Sequence, residues 1–192
     1  MRIISGRFKG RRFDPPSNIT ARPTTDFAKE SLFNLINNEM DIEGITALDL
    51  FSGTGSISYE LASRDALHIT AIEMSEKHIS YIRKMCTDLK IDNIRVMRQD
   101  VFRYLTSTQT SFDFIFADPP YRLLLEEKSL LAILKSFTML AGDDTLFILE
   151  APADFEFPTQ IPDCNFTFDI IKRLGKKSKG KPSQIIFKIQ KK

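Results

Sequence analysis

Cysteine and histidine are scarce in this chain of 192 residues: Cys86, Cys164, His68 and His78 are all it has. The two cysteines are far apart and belong to no CxxC pair or Cys/His cluster, so neither a zinc site nor a disulfide framework is expected. The histidines read as structural. No apolar run approaches the roughly 18 residues that span a bilayer, and no signal peptide opens the chain, so a cytoplasmic protein is expected. Acids are missing from both ends. Residues 1–12 carry five Lys/Arg and residues 172–192 carry nine, with no Asp or Glu in either stretch, while the net charge is only +2. Net positive charge confined to the ends suits a footprint for phosphates rather than a uniformly solvated surface. The candidates for such contacts are Arg2, Arg7, Lys9, Arg11, Arg12 and Arg22 near the start, and Lys176, Lys177 and Lys179 near the end.

What is present suits one globular domain with a small extension: 42% of residues are hydrophobic and 27% charged. Residues 1–13 alternate around Gly6 and Gly10 as a β-hairpin would. A proline-containing loop leads to Thr25, a suitable N-cap for a helix from Asp26 to Met40 with Ala28, Leu32, Leu35 and Ile36 on one face. Five β-α alternations follow. The pattern predicts strands near 46–51, 68–73, 94–98, 112–117 and 145–150, with helices near 55–64, 75–90, 101–107 and 126–140. Residues 166–174 and 184–190 close the chain as an antiparallel hairpin. The expected fold is therefore α/β, with a mostly parallel sheet covered on both faces.

Chemistry collects at the ends of these strands. After the apolar run Phe112 to Ala117 comes Asp118-Pro119-Pro120-Tyr121. Two prolines hold φ near −65° and turn the backbone rigidly out of a sheet. Asp118 and the Pro119 carbonyl can accept from an exocyclic NH2 while Tyr121 stacks on the ring that bears it. A plain proline turn is the alternative. Further upstream, Ile45 to Phe51 runs into Ser52-Gly53-Thr54-Gly55 and then into a helix. Such a turn lets a ligand approach the backbone, and the helix N-terminus favours an anionic group. The next strand ends in Glu73, placed to accept from both hydroxyls of a ribose, unless it is a solvated loop acid. The third is followed by Gln99-Asp100-Val101, a polar side chain and an apolar wall suited to adenine, unless Asp100 only caps a helix. A third glycine is missing, since Ser58 stands where a dinucleotide fingerprint has Gly or Ala; adenosine with a short zwitterionic tail fits better than a pyrophosphate.

Together these residues resemble the class I S-adenosylmethionine-dependent amino-methyltransferases with a (D/N/S)PP(Y/F) motif. Within that group the chain resembles the small-subunit ribosomal RNA guanine-N2 methyltransferases, which modify guanine 966 of 16S rRNA in the usual numbering. The stretches that carry the resemblance are Met1-Arg2-Ile3-Ile4-Ser5-Gly6-Arg7-Phe8-Lys9-Gly10-Arg11-Arg12, Arg22-Pro23-Thr24-Thr25-Asp26, Leu50 to Gly55, DPPY and the closing hairpin, so that essentially the whole chain is covered. The resemblance implies a Rossmann-like fold of seven strands with helices on both faces, a terminal antiparallel hairpin and an N-terminal β-hairpin extension. It divides the chain into a basic extension and loop, residues 1–25, and a methyltransferase domain, residues 26–192. Cofactor-binding positions would be Asp49, Phe51, Ser52, Gly53, Thr54, Gly55, Glu73, Met74, Asp100 and Val101; Asp118, Pro119, Pro120 and Tyr121 would be catalytic. The implied partner is 16S rRNA, within an assembling small subunit, met by a monomer with no metal. Glycines usual near Ser58 or Tyr59 and near Asp65, and an asparagine usual near Cys86, are absent here.

Methylation of adenine N6 in DNA or RNA is the nearest rival, because DPPY serves there too. A nicotinamide-dependent oxidoreductase would use the glycine turn and Glu73 but leaves DPPY unexplained. A non-catalytic RNA-binding module of this fold would keep the basic ends and lose the pocket.

Overall fold

The computed structural model describes residues 1–16, 19, 25–161, 165–175, 178 and 181–191. Arg22, Cys164, Lys176, Lys177 and Lys179 lie outside the described residues. The chain divides into two compact units, residues 1–101 and 102–192.

In the first unit α1 (Asp26–Glu39) begins at Thr25, whose hydroxyl accepts from the Ala28 N–H at 3.1 Å. The face it buries includes Leu32, Phe33, Leu35 and Ile36, as the spacing predicts, but also Lys29. Ala28 is half-buried. Three strands, β1 (Thr46–Leu50), β2 (His68–Glu73) and β3 (Ile94–Arg98), pair in parallel in the order β3-β2-β1. They alternate with α2 (Ser56–Ser63) and α3 (Glu76–Leu89). The first strand stops one residue short of its predicted end, because Phe51 takes a φ of 59° and starts the turn. Every residue of α2 is buried. The N-terminal hairpin is minimal: a single antiparallel bridge joins Arg2 to Arg12, flanked by Ile3 N–H to Arg11 C=O (2.9 Å) and Phe13 N–H to Met1 C=O (3.0 Å). Turns at Gly6 to Gly10 replace the extended alternation expected there.

The second unit follows α4 (Val101–Ser107) with β4 (Phe112–Ala117), α5 (Tyr121–Leu125), α6 (Glu127–Leu140), β5 (Ala141–Pro152), β6 (Phe166–Leu174) and β7 (Pro182–Lys191). The order is β4-β5-β7-β6, with β5 parallel to β4 and antiparallel to β7, and β6 and β7 forming the expected terminal hairpin. The sequence pattern finds the regular part of β5 and misses its start. There the register breaks between Phe112 and Phe114, and the Thr145 hydroxyl bridges the irregular stretch, accepting from Gly142 N–H at 2.7 Å and donating to Phe112 C=O at 2.6 Å. Phe137, Phe147, Phe157, Phe168 and Phe187 pack as one aromatic cluster, with ring centroids of the contacting pairs 4.7–6.3 Å apart. Together the strands give the α/β architecture expected, mostly parallel with an antiparallel C-terminal pair.

Candidate active site

Parallel pairing brings the loops after β1, β2 and β3 to the same edge of the first unit. Backbone bonds then tie each loop to its neighbour: Ser52 N–H donates to Ile72 C=O at 3.0 Å, and Gln99 N–H to Glu73 C=O at 3.1 Å. The glycine turn closes on itself through Gly55 N–H to Ser52 C=O at 2.8 Å. Gly55 is required twice over. Its φ of 80° lies in the left-handed region, and a Cβ there would sit 2.9 Å from the Tyr59 ring and 3.1 Å from Ile82 Cγ1. Ser52 and Thr54 are buried, and Phe51 and Gly53 half-buried.

Glu73 is not a solvated loop acid. Its side chain is 12% exposed. Gly53 N–H donates to Oε2 at 2.9 Å, while Met74 and Ser75 N–H donate to Oε1 at 2.8 and 2.7 Å. A carboxylate offers about four acceptor directions, so three backbone donors leave little unused. The group that would hold a ribose therefore also latches the glycine turn, and gripping both ribose hydroxyls requires it to exchange a backbone partner. His78 Nδ1 lies 3.4 Å from Oε2 without making a hydrogen bond. Met74 is 66% exposed beside it. Asp100 is half-buried and Val101 buried at the start of α4.

Asp49 is turned towards α2. It is 1% exposed and faces α2, where Ser58 donates both its hydroxyl, at 2.5 Å, and its backbone N–H to the carboxylate. Burial pushes the Asp49 pKa up to about 7; the Ser58 bonds oppose this and the Glu73 charge adds to it. Asp49 thus braces the first turn of α2 from below. The serine in place of a third glycine has a physical use: it is the partner of this buried acid. Above it, the Ser56 hydroxyl at the head of α2 is buried with no hydrogen-bond partner. A helix start with an unpartnered hydroxyl at Ser56, a turn that admits close approach and an oriented carboxylate make a donor and acceptor set that fits a nucleoside with a carboxylate tail.

In the second unit Asp118 follows directly on β4 and is half-buried, Pro119 is buried, Pro120 is exposed and Tyr121 is half-buried. Pro120 caps α5 with φ −51° and its carbonyl accepts Leu123 N–H at 2.8 Å. Tyr121 is thus the first residue of a short helix rather than part of an open loop. The sequence pattern does not signal this helix, because five residues are too few to show a period. Pro119 and Pro120 fix the exit of the chain from β4, and Asp118 and Tyr121 stand on either side of that rigid pair. Among the described residues no group of three or more His, Cys, Asp or Glu could hold a metal ion. No helix among them is long and apolar enough to cross a membrane.

Of the basic candidates, Arg2 and Arg7 are engaged: Arg2 Nε lies 2.9 Å from Asp26 Oδ2, and Arg7 Nε lies 3.4 Å from Asp65 Oδ1. Lys9, Arg11 and Arg12 are exposed. A buried cluster of Lys29, Glu60 and Arg64 lies behind them, and nothing local in the sequence announces it.

Residues 1–178 match the model of a family described as Conserved hypothetical protein 95. The chain is 37% identical over 136 residues to Ribosomal RNA small subunit methyltransferase D of Buchnera aphidicola subsp. Baizongia pistaciae, covering 71% of this chain and 69% of that protein. This chain belongs to that methyltransferase family. Its fold agrees with the solved structure of a putative methyltransferase, yhhF, from Escherichia coli, at a TM-score of 0.79 and 28% identity, with 97% of this chain and 96% of that one covered. A more distant structure, a putative methyltransferase complexed with SAH, shares the fold at a TM-score of 0.64 and 15% identity, over 83% of this chain and 48% of that one. The fold is thus the Rossmann-like one of class I methyltransferases.

Proposed function

We propose that the chain transfers a methyl group from S-adenosyl-L-methionine to the exocyclic N2 amine of a guanine in 16S rRNA, of the guanine 966 type. The observation that carries this reading is the Asp118-Pro119-Pro120-Tyr121 exit from β4 in a member of a small-subunit rRNA methyltransferase family.

The cofactor supplies a methyl group already activated by a sulfonium. The first unit holds it. Glu73 would accept from the ribose, Asp100 and Val101 would meet the adenine, and the Ser52–Gly55 turn with the head of α2 would take the carboxylate tail, flanked by Phe51 and Met74. In the second unit Asp118 and the Pro119 carbonyl accept from the guanine NH2. That amine is a poor nucleophile, because its lone pair is spread into the ring. Two fixed acceptors favour the geometry in which nitrogen can attack and stabilise the positive charge that develops on it. Tyr121 holds the ring plane. The methyl would pass from the sulfonium to nitrogen with release of the thioether, and the amine proton would leave to Asp118 or to water. Positioning supplies up to ~7–11 kcal/mol in favourable cases and preorganised acceptors a few more, so the mechanism invokes no Lewis acid. The target base is unpaired or flipped out, since a paired amine could not reach such acceptors.

The test is to treat ribosomal RNA from cells lacking the gene with the protein and methyl-labelled cofactor, then map the modified base. Label on N2 of one guanine is expected. Label on adenine N6 would move the reading to the rival amine, and no label on either RNA or small subunits would remove it.

A further inference from the structure

We infer that the Lys29–Glu60–Arg64 cluster is a mount that holds residues 1–13 rigid, so that Lys9, Arg11 and Arg12 form a preorganised edge for an RNA phosphate backbone while Arg2 and Arg7 belong to the mount. This rests on the rRNA reading above and divides the basic residues that it treats alike.

The geometry of the mount is specific. Lys29 and Glu60 have fully buried side chains 3.1 Å apart, and Arg64 completes the cluster on the other carboxylate oxygen of Glu60. Both members of the central pair also hold the backbone of the extension. Lys29 Nζ donates to Arg2 C=O at 2.5 Å, and Ile4 N–H donates to Glu60 Oε1 at 2.7 Å. A buried ion pair lying between two helices needs no chain segment to cover it; this one uses its remaining donor and acceptor capacity to clamp one. Farther along, Ser63 at the end of α2 continues the clamp. Its carbonyl accepts Arg7 N–H at 2.8 Å, and its hydroxyl accepts Phe8 N–H at 3.0 Å and donates to Ser5 C=O at 2.5 Å. Ile3 and Phe13 are buried at the two ends of the segment. The approach at Gly6 is so close that a Cβ there would meet the Ser63 carbonyl oxygen at 1.7 Å.

Charges divide along the same line. The Arg2 guanidinium is paired with Asp26, and Arg7 with Asp65 while also donating to Ala62 C=O. Lys9, Arg11 and Arg12 are exposed and make no ion pair with a described residue. A cation on a mobile tail loses conformational freedom when it binds, whereas one on a clamped turn has lost most of it on folding. A phosphodiester strand is the partner that such a fixed run of unpaired cations fits, since phosphates recur at regular intervals and carry no sequence information.

The test uses the full chain, a fluorescein-labelled single-stranded RNA of mixed sequence and a salt titration followed by anisotropy. Each phosphate neutralised on a single strand contributes about 0.7 to the log–log slope. Replacing Lys9, Arg11 and Arg12 together by Ser should therefore flatten the slope by about 2 and weaken binding roughly tenfold or more at moderate salt. Gly6→Ala leaves every charge in place but cannot keep the clamp. It should weaken RNA binding and expose the Ile4, Arg7 and Phe8 amides to hydrogen exchange, whereas Gly10→Ala, which shares the left-handed φ of 81° but has open space around it, carries the backbone strain without the clash and should expose these amides far less. An unchanged slope in the triple variant overturns the proposal, as does wild-type RNA affinity in a Gly6→Ala protein whose amides exchange. Should Gly6→Ala fail to fold, the triple surface variant still decides. Methyl transfer is scored separately: a wild-type protein that binds RNA with a steep slope but methylates none would sink the catalytic reading and leave the mount standing.

Discussion

The two units are held together by different physics. In the second, five phenylalanines from α6, β5, β6, β7 and the loop at Phe157 fill the interior, and a buried acid, Glu150, is partnered by Gln184 at 2.8 Å across the β5–β7 pair. In the first, Lys29, Asp49 and Glu60 are buried along with Ser52, Thr54, Ser56, Ser58 and Ser63, all but Lys29 on β1, α2 or the turn between them. Apolar burial is non-directional and tolerates repacking, whereas a buried charge is stable only with its partners in place. The first unit therefore fixes geometry, of a turn and of a basic segment, where the second mainly fixes volume. A loop that must approach a ligand closely cannot be braced by bulky side chains from above, so its bracing comes from polar groups beneath.

The comparison breaks most visibly under paired truncations. Lys29→Met leaves Glu60 with Arg64 as its remaining ion partner, whereas Glu60→Leu strips both Lys29 and Arg64 of theirs and should destabilise the protein by about 3–5 kcal/mol. Phe187→Ala should cost a similar ~3–5 kcal/mol through its cavity. The double variants separate the two kinds of interior. Lys29→Met/Glu60→Leu removes both charges of the central pair at once, so its loss should fall well short of the sum of the two single losses in denaturant titrations, although Arg64, Ile4 N–H and Arg2 C=O still lose their partners, while Phe187→Ala/Phe147→Ala should be coupled by only ~0.5–1.5 kcal/mol. Equal coupling in both cycles would show that the units do not differ in this way.

Function provides the next contrast. Asp118 belongs to the unit that is held by apolar packing, and Asp118→Ala should lower kcat by about 10²–10³ while leaving the affinity for S-adenosylhomocysteine unchanged by calorimetry. Near-normal turnover would take the acceptor role away from this residue.

Much of both units can be read in the sequence, and the difference between them explains what cannot. Apolar runs such as Phe112 to Ala117 and spacings such as Leu32, Leu35 and Ile36 reflect local burial, so strands, long helices and the strand-end loops follow from pattern. The Lys29–Glu60 pair joins positions 31 apart in the chain, and Ser58 serves Asp49 nine residues earlier across a turn. No periodicity encodes such partners. Lys29 looks like a solvent-facing residue of α1 until α2 and the N-terminal segment are in place. The site candidates were legible as positions, but not as a latch in the case of Glu73 or a brace in that of Asp49.

Asp49 makes the pH response of the first unit testable. Its pKa in the folded protein, about 7, lies above that of an unfolded carboxyl. The protonated form is the one the fold favours, so its stabilisation is full below about pH 4 and is lost as pH rises towards 7, by about 1.4 kcal/mol per unit. Asp49→Asn keeps an acceptor for Ser58 and removes the titration. Thermal melts of wild type and variant should diverge across that window, with the variant the flatter curve; parallel curves would mean that Asp49 is not buried as a neutral acid.

The smallest effect belongs to Glu73, and it bears most directly on how polar bracing serves a ligand. Gln keeps the shape and one carbonyl oxygen, but an amide cannot accept from Gly53 on one side and from Met74 and Ser75 on the other, so one side of the latch opens. A lost partner for a half-buried N–H costs about 1–3 kcal/mol. In the protein alone that cost falls on the glycine turn; were the proposed ribose contact made, it would be offset in part, because the ribose hydroxyls would displace one of the same donors. Glu73→Gln should therefore weaken S-adenosylhomocysteine only about tenfold, less than the loss of a charged acceptor with no other duty would. It should also speed hydrogen exchange at Gly53 in the free protein more than in the complex. If affinity falls while Gly53 exchange is untouched, Glu73 is a ribose ligand and not a latch. If exchange rises with affinity unchanged, it is a latch and not a ligand.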